Sequence, residues 1–503
     1  MQKFNKLFPE LPQLPASWDT AVIGSGIAGL SVSALLARDG QAPLILEQNW
    51  LPGGCASSYP RKNYIFESGA TTLVGLDEGM PLRFLLDQTG LELPAVPLDP
   101  PMQVVLPDGQ VLTRYRGLND WIAEAERVFG KAGQRPFWEA CYRISRFVWD
   151  TSARQRAFPP SSWRDLLFAA SRFQPRQLQF AALAFRSTAA LLREHGLHRN
   201  AAFVRFVDEQ LLITAQNRME EVNVLFGAAA LCYTNYGNYY LHGGLFGLVR
   251  LLAEYVLAQG GKLALRTGAQ RVIPEAGGYR IVTSKGEVRC RRVVFAIPAN
   301  NVAEIFEDPA VQRRLRPRLL DSPQLNSAFQ VGFVARRQAA PACLHHQIHA
   351  PAPMPGLAPG SIFLSLSHPE DALRCGPDEV VGSVSTHIPD PARNLIHDKE
   401  ALTEAVFALL ESRGYLRRAD VIYHHASTPG AWAGWTGRAW GFVGGYPQYL
   451  RIKPWQMLDA RLDHRGAYLC GDSAYPGQGI PGAGLSGVIA WQKMRLDRPQ
   501  EGR

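Results

Sequence analysis

Two glycine-rich turns near opposite ends of the chain constrain its fold more than any other feature. The first is Val22 to Leu30, VIGSGIAGL, with Glu47 downstream. Thr20 to Ile23 reads as a short buried strand, Gly24 to Gly29 as a turn, and Leu30 to Ala37 as a helix of small and apolar residues. Pro43 to Leu46 reads as a second apolar strand, closed by Glu47. Strand, G-x-G-x-x-G turn, helix and acid-tipped strand form the βαβ pattern that binds a dinucleotide. Gly24 makes the tight turn, Gly26 lets backbone approach a diphosphate, and Gly29 lets the helix pack on the strand. Ile27 and Ala28, in the turn, are expected at the phosphates, to which the N-terminus of the following helix offers free N–H groups and partial positive charge. Glu47 is placed to accept ribose hydroxyls, and an acid there disfavours a 2′-phosphate. Gly53 and Gly54, in Leu51-Pro52-Gly53-Gly54, tolerate a second close backbone pass along the diphosphate.

The second turn is Cys470 to Gly487, CGDSAYPGQGIPGAGLSG. Ala467 to Cys470 reads as a strand, and a small-residue helix runs from Ala483 towards Ala490. A helix N-terminus reached through Gly and Pro is again an anion site. The first turn alone implies a dinucleotide. The pair implies flavin, because FAD held along its length needs a second cradle at its isoalloxazine end. Gly479, Ile480 and Pro481 are expected at the pyrimidine edge, and Gly471 and Asp472 at the ribityl or ribose hydroxyls.

The chain has 503 residues, enough for two or three domains. Charged residues are 19 %, the net charge is +9, and the pI is about 9.2. A basic balance suits an anionic membrane surface, or reflects an Arg-rich composition without function. No helix-turn-helix, zinc or RNA-binding pattern supports nucleic acid. The seven cysteines are scattered without a CxxC pair, which argues against zinc and disulfides and for a reducing compartment. No apolar leader and no stretch of roughly 18–20 apolar residues is visible. The expected location is cytoplasmic and peripherally membrane-associated.

Between the two turns, Gly244 to Leu257 reads as a helix, and Lys262 to Leu265 and Ala269 to Ile273 as strands. Arg280 to Thr283 is expected to pair with Glu287 to Cys290 across Lys285-Gly286, with Arg292 to Ile297 as a further buried strand. Two strands flank Pro107-Asp108-Gly109, and Ser327 to Val334, Ile362 to Leu366 and Val380 to Thr386 read as more strands. Ala153 to Arg205 holds nine arginines and no lysine, with Asp165 and Glu194 as its acids. Leu178, Ala182, Phe185, Ala189 and Leu192 fall on one face of a helix, and Trp163, Phe168, Phe173 and Phe180 lie among the arginines. A basic amphipathic segment with aromatics reads as a membrane-surface element. A core-packed lid with a solvated Arg face is the alternative.

Four stretches stand out together: PGGCASSYPRKNYIFESGATTLVGL from Pro52, Tyr240 to Gly244 with Gly260-Gly261, Thr428-Pro429 through Gly437-Arg438 to Gly444-Gly445-Tyr446-Pro447, and the C-terminal turn. They resemble the carotenoid desaturase and isomerase family, a phytoene desaturase-like branch of the flavin amine-oxidase-like superfamily. The Pro52 segment looks most like the 3′,4′-desaturase group. The resemblance implies an α/β fold: a discontinuous Rossmann-type FAD-binding domain (17–80, 236–305 and 456–495), a mainly antiparallel-sheet substrate domain (81–135 and 306–455), and a helical membrane-facing subdomain (136–235). It also implies that Val272 lies near the adenine.

The activity implied is desaturation of a carotenoid by hydride transfer to flavin N5. Flavin-dependent cis–trans isomerisation is the alternative, and a non-catalytic lipid- or prenyl-handling scaffold is a third reading. No metal spacing, paired carboxylates or Ser-His-Asp pattern is present. Of the histidines, His242 is the best base candidate, beside a glycine pair expected under the flavin, with Tyr240 next. Trp432, Trp435, Trp440, Phe442, Tyr446 and Tyr449 are candidates to line a tunnel or to fill a core. With no second G-x-G-x-x-G, reoxidation is expected from quinone or oxygen rather than a nicotinamide.

Overall fold

A computed structural model describes residues 7–498 apart from 10, 339–340, 355–359 and 397. The first strand, Ser17–Ile23, pairs in parallel with Leu44–Leu46 on one side and with Gly286–Phe295 on the other. Lys262–Ala264 extends the sheet beyond Leu44–Leu46, and Ala467–Leu469 adds to Val293–Phe295, both in parallel. Strands from three distant stretches of chain thus share one sheet. The apolar runs that form it are buried on both faces, as parallel strands require. The antiparallel strands Ala269–Glu275 and Gly278–Thr283 complete it, the latter forming the expected hairpin with Gly286–Phe295. Arg292 to Ile297 is not a separate strand: the hairpin arm continues unbroken to Phe295.

The helix Ile27–Arg38 crosses from the first strand to the second, and the C-terminal helix Gly479–Asp497 lies along it. Their approach needs glycine. A Cβ at Gly487 would sit 2.5 Å from the Ala28 carbonyl and 2.9 Å from the Ser31 Cβ.

A second seven-stranded sheet runs Val421–Ser427, Asn326–Arg336, Glu379–Pro389, Ser361–Leu366, His345–His349, Met102–Val105, Val111–Arg114. It is antiparallel except between His345–His349 and Met102–Val105. Helices Leu118–Phe129, Gln134–Arg154, Ala201–Ala215 and Val224–Leu231 pack beside it around Trp121, Trp138, Phe203 and Phe206. Arg114 is buried among them, its guanidinium over Trp121 and hydrogen-bonded to Gln210.

The single amphipathic helix expected through Leu178 to Leu192 does not form. Pro175–Phe185 winds as a 3-10 run, and Ser187 caps a separate short helix, Thr188–Glu194, through the Ala190 N–H. Three residues per turn shift the face, so Leu178 and Phe185 are 66 % and 62 % exposed while Leu192 is fully buried. The exposed side chains join Trp163, Leu166 and Leu167 of the helix Trp163–Ser171, and Phe173, as large apolar groups at the surface. Arg164 and Arg172 lie over the Trp163 and Phe168 rings. The side chains of Arg176 and Phe180 lie outside the described ones. Among the described residues no helix is long and apolar enough to cross a membrane.

Candidate functional site

The glycines of the first turn are glycines for different reasons. Gly24 has φ +98°, and a Cβ there would press on the Ala296 carbonyl at 2.7 Å. A Cβ at Gly29 would collide with the Gly24 carbonyl and lie 2.9 Å from the Ala296 Cβ. Gly26 is different. Its φ is −64° and its ψ 175°, which any residue adopts, and no protein atom lies within 4 Å of a Cβ built there. Nothing in the protein itself demands glycine at 26, and the position opens onto adjoining free space. Gly471 has the same open surroundings, with φ +126°.

That space is a cleft of about 600 Å³. Gly24, Gly26, Ile27, Ala28, Glu47, Gly53 and Gly54 from the N-terminal part line it. Gly471, Asp472, Gly479, Ile480 and Pro481 from the C-terminal part line the same cleft. The Gly53 N–H donates to the Ser25 carbonyl at 3.0 Å, which fixes the second glycine loop against the first turn. Glu47 accepts from the Ser25 N–H and hydroxyl at 2.9 and 2.5 Å and from the Asn49 N–H at 2.8 Å. Burial raises its pKa and these hydrogen bonds oppose that rise.

Gly29 packs helix against strand, the role expected of it, and does not itself line the cleft. Three expected site residues lie elsewhere. Val272 is buried in the core with its carbonyl bonded to the Glu307 N–H; Gly268 and Ala269, just before it, line the cleft instead. Tyr240 and His242, expected to face the ring, do not line the cleft either. The Tyr240 hydroxyl donates to Asp371 at 2.7 Å, and Arg374 donates to that hydroxyl at 3.4 Å. Burial pushes the Tyr240 pKa up further. His242 stands 3.9 Å from Asp371, its ring edge-on to Tyr240. A loop carrying Asp371 and Arg374 has docked on the Gly243-Gly244 turn, where Asp371 accepts from the Tyr240 hydroxyl and from the Gly243 N–H at 2.9 Å.

Other lining residues had no signal as single letters. Arg438 donates to Asp472 at 2.7 Å, and Gln48 and Asn301 flank the adjoining turn. Trp432 and Trp435 line the cleft from the helix Pro429–Thr436, whereas Phe442 and Tyr446 fill the core and Trp440 is exposed. Buried polar atoms of lining residues stand without a protein partner, among them Trp435 Nε1, Arg438 Nη1, Gln478 Oε1 and Gln216 Oε1. Such atoms are expected at a binding site, where a ligand supplies the missing bond.

The cleft continues past the C-terminal turn. Val148, Trp149, Leu212, Ile213, Phe226 and Phe363 line this arm, from three helices and the second sheet. Polar side chains line it too, among them Thr214, Tyr233, Tyr236, Ser385 and Thr386. Glu209 accepts from the Ser361 hydroxyl at 2.5 Å and from the Gly360 N–H at 3.2 Å. His387 and Gln216 share a hydrogen bond of 2.9 Å, and burial lowers the His387 pKa to about 4, so the ring is neutral near pH 7. The alternation of the strand Glu379–Pro389 carries His387, but its pairing with a residue 171 positions away is visible only in the fold. Among the described residues, no group of three His, Cys, Asp or Glu is placed to hold a metal ion.

Comparison with known proteins agrees with this geometry. Prolycopene isomerase 2 of an Oncidium hybrid cultivar is 22 % identical over 504 residues, covering 95 % of this chain and 84 % of its own. All-trans-retinol 13,14-reductase of Danio rerio is 25 % identical over 324 residues, 60 % of this chain and 52 % of its own. The structure of an oxidoreductase from Methanosarcina mazei superposes with a TM-score of 0.66 at 16 % identity, covering 94 % of this chain and all of that one. The family profile described as flavin containing amine oxidoreductase matches residues 27–494. The glycine cradles and the unpartnered polar atoms between them fit an extended flavin nucleotide, and the chain belongs to the flavin containing amine oxidoreductase family, with FAD as its cofactor.

Proposed function

We propose that the protein is a carotenoid desaturase, acting on a long apolar polyene held against the flavin. The observation that carries this reading is the apolar arm. A cleft that holds a nucleotide and then runs on between Val148, Trp149, Leu212, Ile213, Phe226 and Phe363 suits a hydrocarbon chain better than a small polar substrate. FAD, when bound, supplies the acceptor for a hydride leaving the polyene. The chain's own residues then have three tasks. The apolar walls orient the polyene and exclude water. The hydrogen-bonded wall of Gln330, whose side-chain amide donates to the Glu67 carbonyl and the Ser383 hydroxyl, keeps one side of the cleft rigid. Glu209, a carboxylate of this arm, takes the proton lost from the neighbouring carbon.

Peripheral association with a membrane goes with this reading. The exposed Trp163, Leu166, Leu167, Phe173, Leu178 and Phe185, among arginines, form a surface suited to an anionic lipid interface, from which the substrate is drawn. With FAD bound, net desaturation would require an external electron acceptor, for which quinone or oxygen is the proposed class.

A second reading, cis–trans isomerisation of a carotene without net redox, is favoured by the names of the relatives that align over 95 % of the chain. One experiment separates the two. The FAD-loaded protein, once with the flavin oxidised and once with it chemically reduced, is given an all-trans and a cis acyclic carotenoid, and products are resolved by mass and absorption. A product lighter by two hydrogens with a longer chromophore supports desaturation. A changed isomer of equal mass supports the second reading. No change in any polyene with the flavin demonstrably bound refutes both.

A further inference from the structure

We propose that Arg438 is the cation that grips the FAD diphosphate, from the far wall of the cleft. Among the described residues lining the cleft, it is the only Lys or Arg. The diphosphate carries two negative charges, and a helix N-terminus offers only about half an elementary charge. The helix Ile27–Arg38 has no basic residue in its first turn to add to that. A full positive charge in the same cleft has an evident use.

The position of Arg438 along the cleft agrees. Its neighbour Gly437 lies against Gln48: φ is +66°, and a Cβ there would collide with the Gln48 side chain. Gln48 follows Glu47, the residue placed at the adenosine ribose. In the other direction Arg438 Nη2 donates to Asp472 Oδ2 at 2.7 Å, and Asp472 belongs to the C-terminal turn at the ribityl end. The Cys55 thiol, next to the Gly53-Gly54 loop, lies beside the guanidinium. In FAD the group between the ribose and the ribityl chain is the diphosphate.

The hydrogen-bond inventory points the same way. The Arg438 side chain is 13 % exposed, held by Asp472 and by the Phe442 ring, over which its guanidinium carbon sits at 5.1 Å from the centroid. Nη1 is buried and has no hydrogen-bond partner among the described protein atoms. A guanidinium is a planar fork of donors that suits phosphate oxygens. Here one prong is committed to Asp472, which fixes the side chain, and the other is left for the ligand.

The test uses the full chain stripped of flavin. FAD affinity is measured for the wild type and for Arg438→Met, and phosphorus NMR is recorded on each protein saturated with FAD. The expected loss of affinity is about 10- to 150-fold, the range for hydrogen bonds to charged groups, and at least one diphosphate resonance moves. Arg438→Lys keeps the charge without the fork and loses less. If Arg438 acts only by steadying Asp472, affinity falls but both phosphorus resonances stay where they are, and the proposal is overturned. Unchanged affinity overturns it equally. If Arg438→Met does not fold, the same resonances are read on Arg438→Lys: a shift supports the proposal and its absence overturns it.

Discussion

Gly26→Ala separates what the protein needs at this position from what its ligand needs. Two small effects act on the flavin-free fold. A methyl group at φ −64° and ψ 175° is unstrained and meets no protein atom within 4 Å, so restricting the unfolded chain stabilises by about 0.4–1 kcal/mol. Alanine is a poorer helix N-cap than glycine by a similar amount. These offset, and flavin-free stability should stay within about 0.5 kcal/mol of wild type. The same methyl group enters the cleft, where the account places the diphosphate. Displacing a packed ligand by one methyl costs roughly 1–3 kcal/mol, or about a 5- to 150-fold weaker FAD affinity at 1.4 kcal/mol per decade. Gly29→Ala is the control. Its Cβ collides with the Gly24 carbonyl and sits 2.9 Å from the Ala296 Cβ, so the flavin-free fold should lose about 1–3 kcal/mol. Urea unfolding of flavin-free protein and FAD titration give both quantities for both variants. Gly26→Ala binding FAD as tightly as wild type, or destabilising the flavin-free protein as much as Gly29→Ala does, refutes the reasoning.

Three further outcomes are expected. Glu209→Gln should keep the bound-flavin absorption spectrum and lower the rate of polyene desaturation by roughly 10²- to 10⁴-fold, and an unchanged rate removes Glu209 as proton acceptor. Trp163→Ser with Leu167→Ser removes two exposed apolar groups, each contributing about 1.5–3 kcal/mol when buried; binding to anionic vesicles should fall more than tenfold, and equal binding refutes docking through this surface. Asp165, with its side chain fully buried, takes hydrogen bonds from Arg461 at 2.8 and 3.2 Å and faces Lys493 at 3.6 Å. Burial works against its ionisation, but Arg461 and then Lys493 win and bring its pKa from 3.8 to about 2. A lowered folded-state value means that this stabilisation, about 2 kcal/mol at 1.36 kcal/mol per unit, is complete above pH 4 and is lost as pH falls towards 2. Asp165→Asn should therefore be less stable than wild type at pH 7, with the gap closing in acid; a gap independent of pH sinks the assignment.

The parts legible in the sequence were those set by local rules. Gly24 turns because only glycine sits easily at positive φ, and the hairpin at Lys285-Gly286 closes because its two flanking runs alternate. The strands at Ser327 to Val334 and Val380 to Thr386 were legible as apolar runs, while their place in a mainly antiparallel second sheet came from the family resemblance. What could not be read was long-range. Arg438 meets Asp472 across 34 residues, and Gln216 meets His387 across 171; nothing in either letter names its partner. Tyr240 and His242 were placed by adjacency to a glycine pair, but the loop around Asp371 and Arg374, more than a hundred residues on, decided where their polar atoms point. The face through Leu178 and Leu192 failed because periodicity assumes one unbroken helix, and Pro175 and Ser187 favour a 3-10 run and a fresh start.

The claim on which the rest stands is that both termini hold one flavin lengthwise. A crystal structure of the FAD-loaded protein tests it most directly. The expected result is one FAD per chain, its adenosine ribose at Glu47 and its tricyclic ring at the start of Gly479–Asp497. A nucleotide lying in the reverse sense, or a ring seated away from that helix, contradicts the account.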